Sequence, residues 1–413
     1  MIRSIECRGI QHWMHRLNQQ GLPGRTALHS PTAILLLLMM TSVSAQENAT
    51  GTGREVIDAG RFPSLQAAVD AVPATGGTVR IPPGNWFLDV PLHIHSTNTR
   101  IEGSGPATNL VNRNAAGEPA VLIAHRDRMQ VKKDDRLWRA NISDLRITGN
   151  PASGDGILAE YVEEIFLQGV TVTACGGDGI RLDHCYEDPR ISDCLLTYNR
   201  KIGLNLIGCH DIVVSANHFE ENQDALHCID SFNLCMTGNN LDDHLDKGVV
   251  IENTYGSVVS GNMIEECNGT AITLDRDCYG ITLSANVIAH NGAGIRLVDA
   301  HGCAVSANTF TIMKTDALYI GPDSGRITVT GNNFCNSFIG PQTVKRAVDD
   351  LAAAGLILDG TSHNVISGNV FSSLTTKAIE LRNSPQATSI TGNIIVDCES
   401  DVQADTVLPA PVP

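Results

Sequence analysis

A small residue followed by an aliphatic one returns along this chain at a nearly fixed interval. The pairs are Gly156-Ile157, Gly179-Ile180, Gly203-Leu204, Ala225-Leu226, Gly248-Val249, Ala271-Ile272, Gly294-Ile295, Ala317-Leu318, Gly355-Leu356 and Ala378-Ile379. In phase with them runs a Ser/Thr-x-Asn triplet, with asparagines at 217, 239, 262, 286, 308, 332, 369 and 393, in steps of 22, 23, 24, 22, 24, 37 and 24. Two phased signals with a period near 23 predict a stacked repeat. The units are rich in Val, Ile and Thr with Gly and Asn between them, so each reads as three short strands and three turns. The expected fold is all-β, a right-handed parallel β-helix of about 10–12 coils, in which no coil buries its inner face until its neighbours stack.

The solenoid is expected over residues 55–400. Ser64 to Val72 reads as a short helix with a serine cap that covers the N-terminal end. Two insertions interrupt the repeat, a charged loop between Ile123 and Asn141 and a segment between Phe334 and Gly355 whose residues 342–354 read as an amphipathic helix. Residues 401–413 are expected to be a disordered tail.

The other end changes the picture of where the protein works. Arg3, Arg8, Arg16 and Arg25 precede an apolar run, Ala33 to Met40, and Val43-Ser44-Ala45 offers small residues for cleavage. Residues 1–45 are therefore expected to be a signal peptide and 46–54 a flexible leader, giving a secreted or periplasmic protein with no stable membrane span. Without the four Arg and one Glu of that segment, the 29 basic and 45 acidic residues fall to 25 and 44, a net charge near −19. Such a charge argues against a nucleic-acid partner and leaves room for divalent cations. Eleven cysteines would remain. Cys185 and Cys209 share one position of successive coils and Cys194 takes an asparagine slot, so buried free thiols are expected rather than a disulfide framework.

The opening (Ser64 to Ala71, then Gly76 to Gly84) and the coil pattern resemble the pectate-lyase-like superfamily of exported β-helix proteins, and the coils are also similar to those of NosD-like periplasmic proteins. The resemblance implies the β-helix fold. It implies less about chemistry, since that superfamily includes lyases, hydrolases, uronan epimerases and non-catalytic binders. Asn222-Gln223-Asp224-Ala225-Leu226 is faintly similar to the Asn-Thr-Asp-Gly motif of polygalacturonases. Of that family's paired Asp only Asp246 is matched, followed by Lys247, and its Gly-His-Gly and Arg-Ile-Lys elements are missing.

Candidate chemistry follows from which residues face outward. If Ile180 and Leu182 point in, Arg181 points out. The outward column then reads Leu158, Arg181, Asn205, His227, Val250, Thr273, Arg296, Tyr319, Ile357 and Glu380. Arg181, Asn205 and His227 form a polar strip, and Lys201, Asp224, Asp246 and Lys247 sit on the turns that lead into it. β-Elimination on a uronic acid needs a base near the C5 proton and positive charge on the carboxylate, often Ca²⁺. The expected catalytic set is thus Arg181, Lys201, Asp224, His227 and Asp246, with Asp224 and Asp246 as ligands for a possible Ca²⁺ and Asn205 as a substrate contact. Asp224 also fits a plain turn role, and His227 a plain surface histidine. The loop residues Lys132, Lys133 and Arg136 are the expected contacts for an acidic glycan. An aromatic column, His210, Phe232, Tyr255, Tyr279 and His301, reads either as a stack that closes one turn or, through Tyr255 and Tyr279, as a platform for sugar rings. The functional expectation is a uronan lyase. Alternatives are an inert carbohydrate-binding or structural solenoid and a hydrolase or epimerase. Oligomeric state is left open by the sequence.

Overall fold

The computed structural model describes residues 56–128, 135–335 and 354–410. The expected signal peptide and leader, Lys132 and Lys133, and all but the last residue of the expected helix 342–354 lie outside these residues. Among the described residues no helix is long and apolar enough to cross a membrane.

The described residues form a parallel β-solenoid. The coils give one strand each to a 12-stranded parallel sheet, and most give two short strands to a 26-stranded set, which Asn141–Thr148 and Phe166–Thr173 each cross as one longer strand. In the 12-stranded sheet, Arg181 pairs with Asn205, Asn205 with His227, His227 with Val250, and so on through Thr273, Arg296, Tyr319, Ile357 and Glu380. This is the register expected from the small-aliphatic signal. The alternate residues Ile180, Leu182, Leu204, Leu206, Leu226 and Cys228 are fully buried. The small residue of each pair has a steric cause: a Cβ on Gly179 would lie 2.6 Å from the Gly203 carbonyl oxygen. The helix spans Leu65–Asp70, Ser64 accepts the Ala67 N–H as its cap, and Leu65, Ala68 and Val69 join the core. At the far end the expected disordered tail instead contributes the strand Thr406–Leu408, antiparallel to Thr388–Thr391. Adding that strand pairs backbone groups that the last coil would otherwise leave open.

The asparagine column is the seam of the stack. Asn262 Oδ1 accepts the backbone N–H and the side-chain N–H of Asn239 at 3.0 and 2.9 Å. Its own Nδ2 donates to the Met236 carbonyl at 3.3 Å and to Asn286 Oδ1 at 3.0 Å. The pattern repeats from Asn217 to Asn393. Cys194 holds the expected asparagine slot, and its backbone N–H donates to Asn217 Oδ1. The middle residue of each triplet turns the corner at positive φ, 66° at Gly238 and 55° at Ala285, a conformation that favours the Gly found in five of the eight triplets.

A second column is built from small hydroxyls and thiols. Cys209 Sγ donates to the Leu182 carbonyl, Thr254 Oγ1 to that of Cys228, and Cys278 Sγ to that of Ile251. Cys209 and Cys278 are buried free thiols, as expected, and act as weak hydrogen-bond donors in the core.

Asn262→Leu removes four hydrogen bonds and leaves buried amides unsatisfied, an expected cost of several kcal/mol, on the order of 3. Thr273→Ala on the outward face should cost under about 0.5 kcal/mol. Chemical denaturation of both variants checks the assignment, and equal costs would contradict it.

Candidate functional site

The outward column is only partly open. Arg181 and His227 are half-buried, while Asn205 and Val250 are buried among their neighbours. The floor of this sheet is therefore flat between a few projecting groups, and the chemistry gathers around two aspartates.

The first is Asp183. Its Oδ2 lies 2.8 Å from Arg181 Nη2, and its Oδ1 lies 2.6 Å from His184 Nδ1. The His184 ring stacks on Tyr161, centroids 5.2 Å apart and planes 25° apart. Arg181 and His184 are 38% and 41% exposed at the side chain, so both present their heads to solvent. Arg128 forms a two-pronged pair with Glu160 on the adjacent coil. Arg128, Glu160, Tyr161 and Asp183 line a cleft of about 530 Å³. Tyr161, His184 and Arg128 were missed by the sequence reading. A signal existed, because Tyr161 and His184 each stand four residues after the aliphatic residue of their pair, at the same point of successive coils. Both are held at positive φ, 52° and 53°.

The second is Asp224. Its Oδ2 lies 2.7 Å from His227 Nε2, and its Oδ1 accepts the Lys247 N–H at 2.7 Å. Burial pushes its carboxyl up, but these bonds and the nearby positive charge outweigh burial and hold it below the ordinary range. Asp224 thus serves the turn through the Lys247 N–H and also holds His227. Asp178 does the same, capping Ile202 N–H with one oxygen and holding Asn205 Nδ2 with the other.

Asp224 and Asp246, the expected Ca²⁺ ligands, have protein partners: both Asp224 oxygens are engaged, and Asp246 Oδ2 lies 3.5 Å from the Lys247 ammonium. Lys201 is exposed on the turn before Asn205, within electrostatic reach of Asp155. Arg136, expected as a glycan contact, turns inward. It pairs with Glu163, which is 3% exposed, and its guanidinium lies 4.4 Å from the centroid of the Tyr186 ring. A buried carboxylate is costly unless paired, and this one draws the arginine away from solvent.

The aromatic column is a stack, and it begins one coil earlier than expected, at Tyr186. Centroids are 4.4 Å apart from Tyr186 to His210, 4.7 Å to Phe232, 5.1 Å to Tyr255 and 5.0 Å to Tyr279. From His210 onward the planes are within 10° of parallel. The faces of Phe232 and Tyr255 are covered by their neighbours, so the column offers ring edges and hydroxyls. That geometry favours the turn-closing role over a platform of ring faces at Tyr255 and Tyr279.

The family model described as the right handed beta helix region matches residues 129–252 and 190–334. The chain is a right-handed parallel β-helix protein. No curated protein matches it by sequence. Among solved structures it is similar to the A-module of Azotobacter vinelandii mannuronan C-5 epimerase AlgE6, at 16% identity and TM-score 0.57, over 86% of this chain and 100% of that one. The AlgE4 A-module of the same organism gives 17% and 0.56, over 87% and 100%. Tailspike protein 3 of bacteriophage CBA120 gives 13% and 0.60, over 85% of this chain and 62% of the tailspike, so the chain spans less than two thirds of that protein. At these identities the likeness is one of fold.

One buried group near the Asp224 turn makes the stack acid-sensitive. His244 is fully buried in a second polar ladder, where Asn199 and Asn222 stand on preceding coils. Its Nδ1 donates to the Asn222 carbonyl at 3.4 Å, and its Nε2 has no partner. Burial lowers its pKa to about 4 against attraction from Asp224 and Asp243. Between that value and the ordinary 6.5 the unfolded chain binds a proton and the native one does not. Stability is therefore expected to fall by about 3 kcal/mol as pH drops from 7 to 4. Melting curves of wild type and His244→Asn across this range check it. The variant should lose less, and parallel curves would contradict the assignment.

Proposed function

We propose that this protein acts on an acidic polysaccharide outside the cytoplasm, and that its groove removes the C5 proton of a uronic acid residue, as in lyase-type β-elimination. The observation that carries the reading is Asp183, a single carboxylate that braces a cation, Arg181, and a base, His184, beside a cleft large enough for a sugar. With Nδ1–H donated to Asp183, the His184 Nε2 lone pair is free to accept a proton. Arg181 neutralises the uronate carboxylate and so lowers the cost of the enolate-like charge that develops as the proton leaves. The C5–H electron pair becomes the C4=C5 bond, the C4–O4 bond breaks, and the Tyr161 phenol is the candidate donor to the departing oxygen. Asp224 and His227 lie two rungs further on, about 10 Å along the groove, and orient the neighbouring sugar. The names of the epimerase neighbours support this class, because C5 proton removal from a uronan is the first step of epimerisation as well. An epimerase would return a proton to the opposite face of C5 and leave the chain intact.

Incubation with mannuronate, guluronate and galacturonate polymers and with a neutral glycan, with and without a chelator, separates the readings. An unsaturated, ultraviolet-absorbing product is expected from one of the uronans. His184→Ala and Arg181→Ala should each reduce its rate at least about a hundredfold with the melting temperature unchanged. Full activity in both variants would move the site elsewhere, and binding without any product would make the protein a carbohydrate-binding solenoid.

A further inference from the structure

We propose that Arg296, held over Tyr319, is a second carboxylate-binding subsite for the same acidic glycan, so that the groove grips chains of about six sugars at two points. The inference rests on the groove reading above and extends it toward the C-terminal coils. Across the described outward column, Arg181 and Arg296 are the two arginines, and no lysine shares it. Five strand pairings separate them, or about 24 Å at the usual strand spacing. The positions between them, Asn205, His227, Val250 and Thr273, carry no fixed charge, and Asn205 and Val250 are buried. An extended glycan advances by roughly one strand spacing per sugar, so a chain along the groove would bring carboxylates to both guanidiniums with about four sugars between.

The local build favours a binding role for Arg296. Its Nε and Nη2 donate to Asp316 Oδ2 and Oδ1 at 3.0 and 2.7 Å, and the Asp316 side chain is 3% exposed. The guanidinium lies 5.2 Å from the Tyr319 ring centroid, and the Tyr319 hydroxyl donates to Asp359 at 2.9 Å. Two χ-rich side chains are thereby fixed before any ligand arrives, which lowers the ordering cost of binding. The Arg296 side chain stays 42% exposed, and the Asp316 bonds do not use Nη1. Asp178 and Asp224 each take one backbone N–H of the next coil and one outward side chain, Asn205 and His227, whereas Asp316 takes the Thr315 hydroxyl and Arg296. The uncharged Asn205 serves Asp178, so a turn aspartate here does not require an arginine as its partner. A purely structural Arg296 would neutralise Asp316 and do nothing for a ligand.

Calorimetric titration of the His184→Ala protein with oligouronates of three and eight sugars, and with a neutral eight-sugar chain, tests this. The parent should bind the longer uronate more tightly. Adding Arg296→Gln together with Asp316→Asn, which removes the pair without leaving a buried charge, should cost the eight-sugar uronate about tenfold in affinity and leave the trimer unchanged. Tyr319→Leu, which keeps the pair, should give a smaller loss in the same direction. No loss, an equal loss for both lengths, or the same loss for the neutral chain would overturn the second subsite while leaving the Arg181 cleft standing. Failure of the parent to bind either uronate would overturn both.

Discussion

From Cys194 to Asn369, each coil's corner amide is satisfied by an asparagine oxygen that the next coil supplies. Asn262 satisfies Asn239, Asn286 satisfies Asn262, and the chain of obligations runs to Asn393. An unmade hydrogen bond in a dry interior costs more than a made one contributes, so the ladder fixes register as well as adding stability. A slip of one residue would break it along its whole length and turn the buried Ile and Leu of the 12-stranded sheet outward. That constraint aligns Arg181, Asn205 and His227 on one face with no loop required to hold them. The solenoid is thus a ruler for outward side chains, and the candidate site is written on it as a short run of rungs.

The fold was legible because its period and polarity are local. Small residues mark the strand entry, Gly or Ala marks the positive-φ corner, and Asn marks the ladder. The outward column was legible for the same reason, since alternation along a strand is a property of backbone geometry. Partnerships were less so. Asp183 could be placed on the outward face from its position alone, but not as the shared brace of Arg181 and His184. Asp224 was read as half of a cation pair with Asp246, yet its carboxylate turns to His227 and a backbone N–H. Arg136 looked like a surface cation because its buried partner, Glu163, lies 27 residues away on the next coil.

The tail and the aromatic column show the same divide. Residues 406–408 have the composition of a loose end, and the open strand Thr388–Thr391 makes them a strand. The aromatic residues recur in phase, which predicted their alignment. Their ring planes, which decide whether a sugar could lie on them, follow from the coil spacing: parallel rings about 5 Å apart cover one another. The partly exposed groups that the proposed site uses lie instead on the 12-stranded sheet, at Arg181 and Arg296, and on the turn just after it, at His184.

The central claim is that a proton leaves C5 of a uronic acid in the cleft beside Asp183. Proton NMR of a uronan incubated with the protein in deuterated water observes that atom directly. The account predicts that the H5 resonance is lost at an enzymatic rate with the wild-type protein, whether elimination or epimerisation follows, and persists with His184→Ala. Retention of H5 in every uronan that the wild-type protein binds would contradict it.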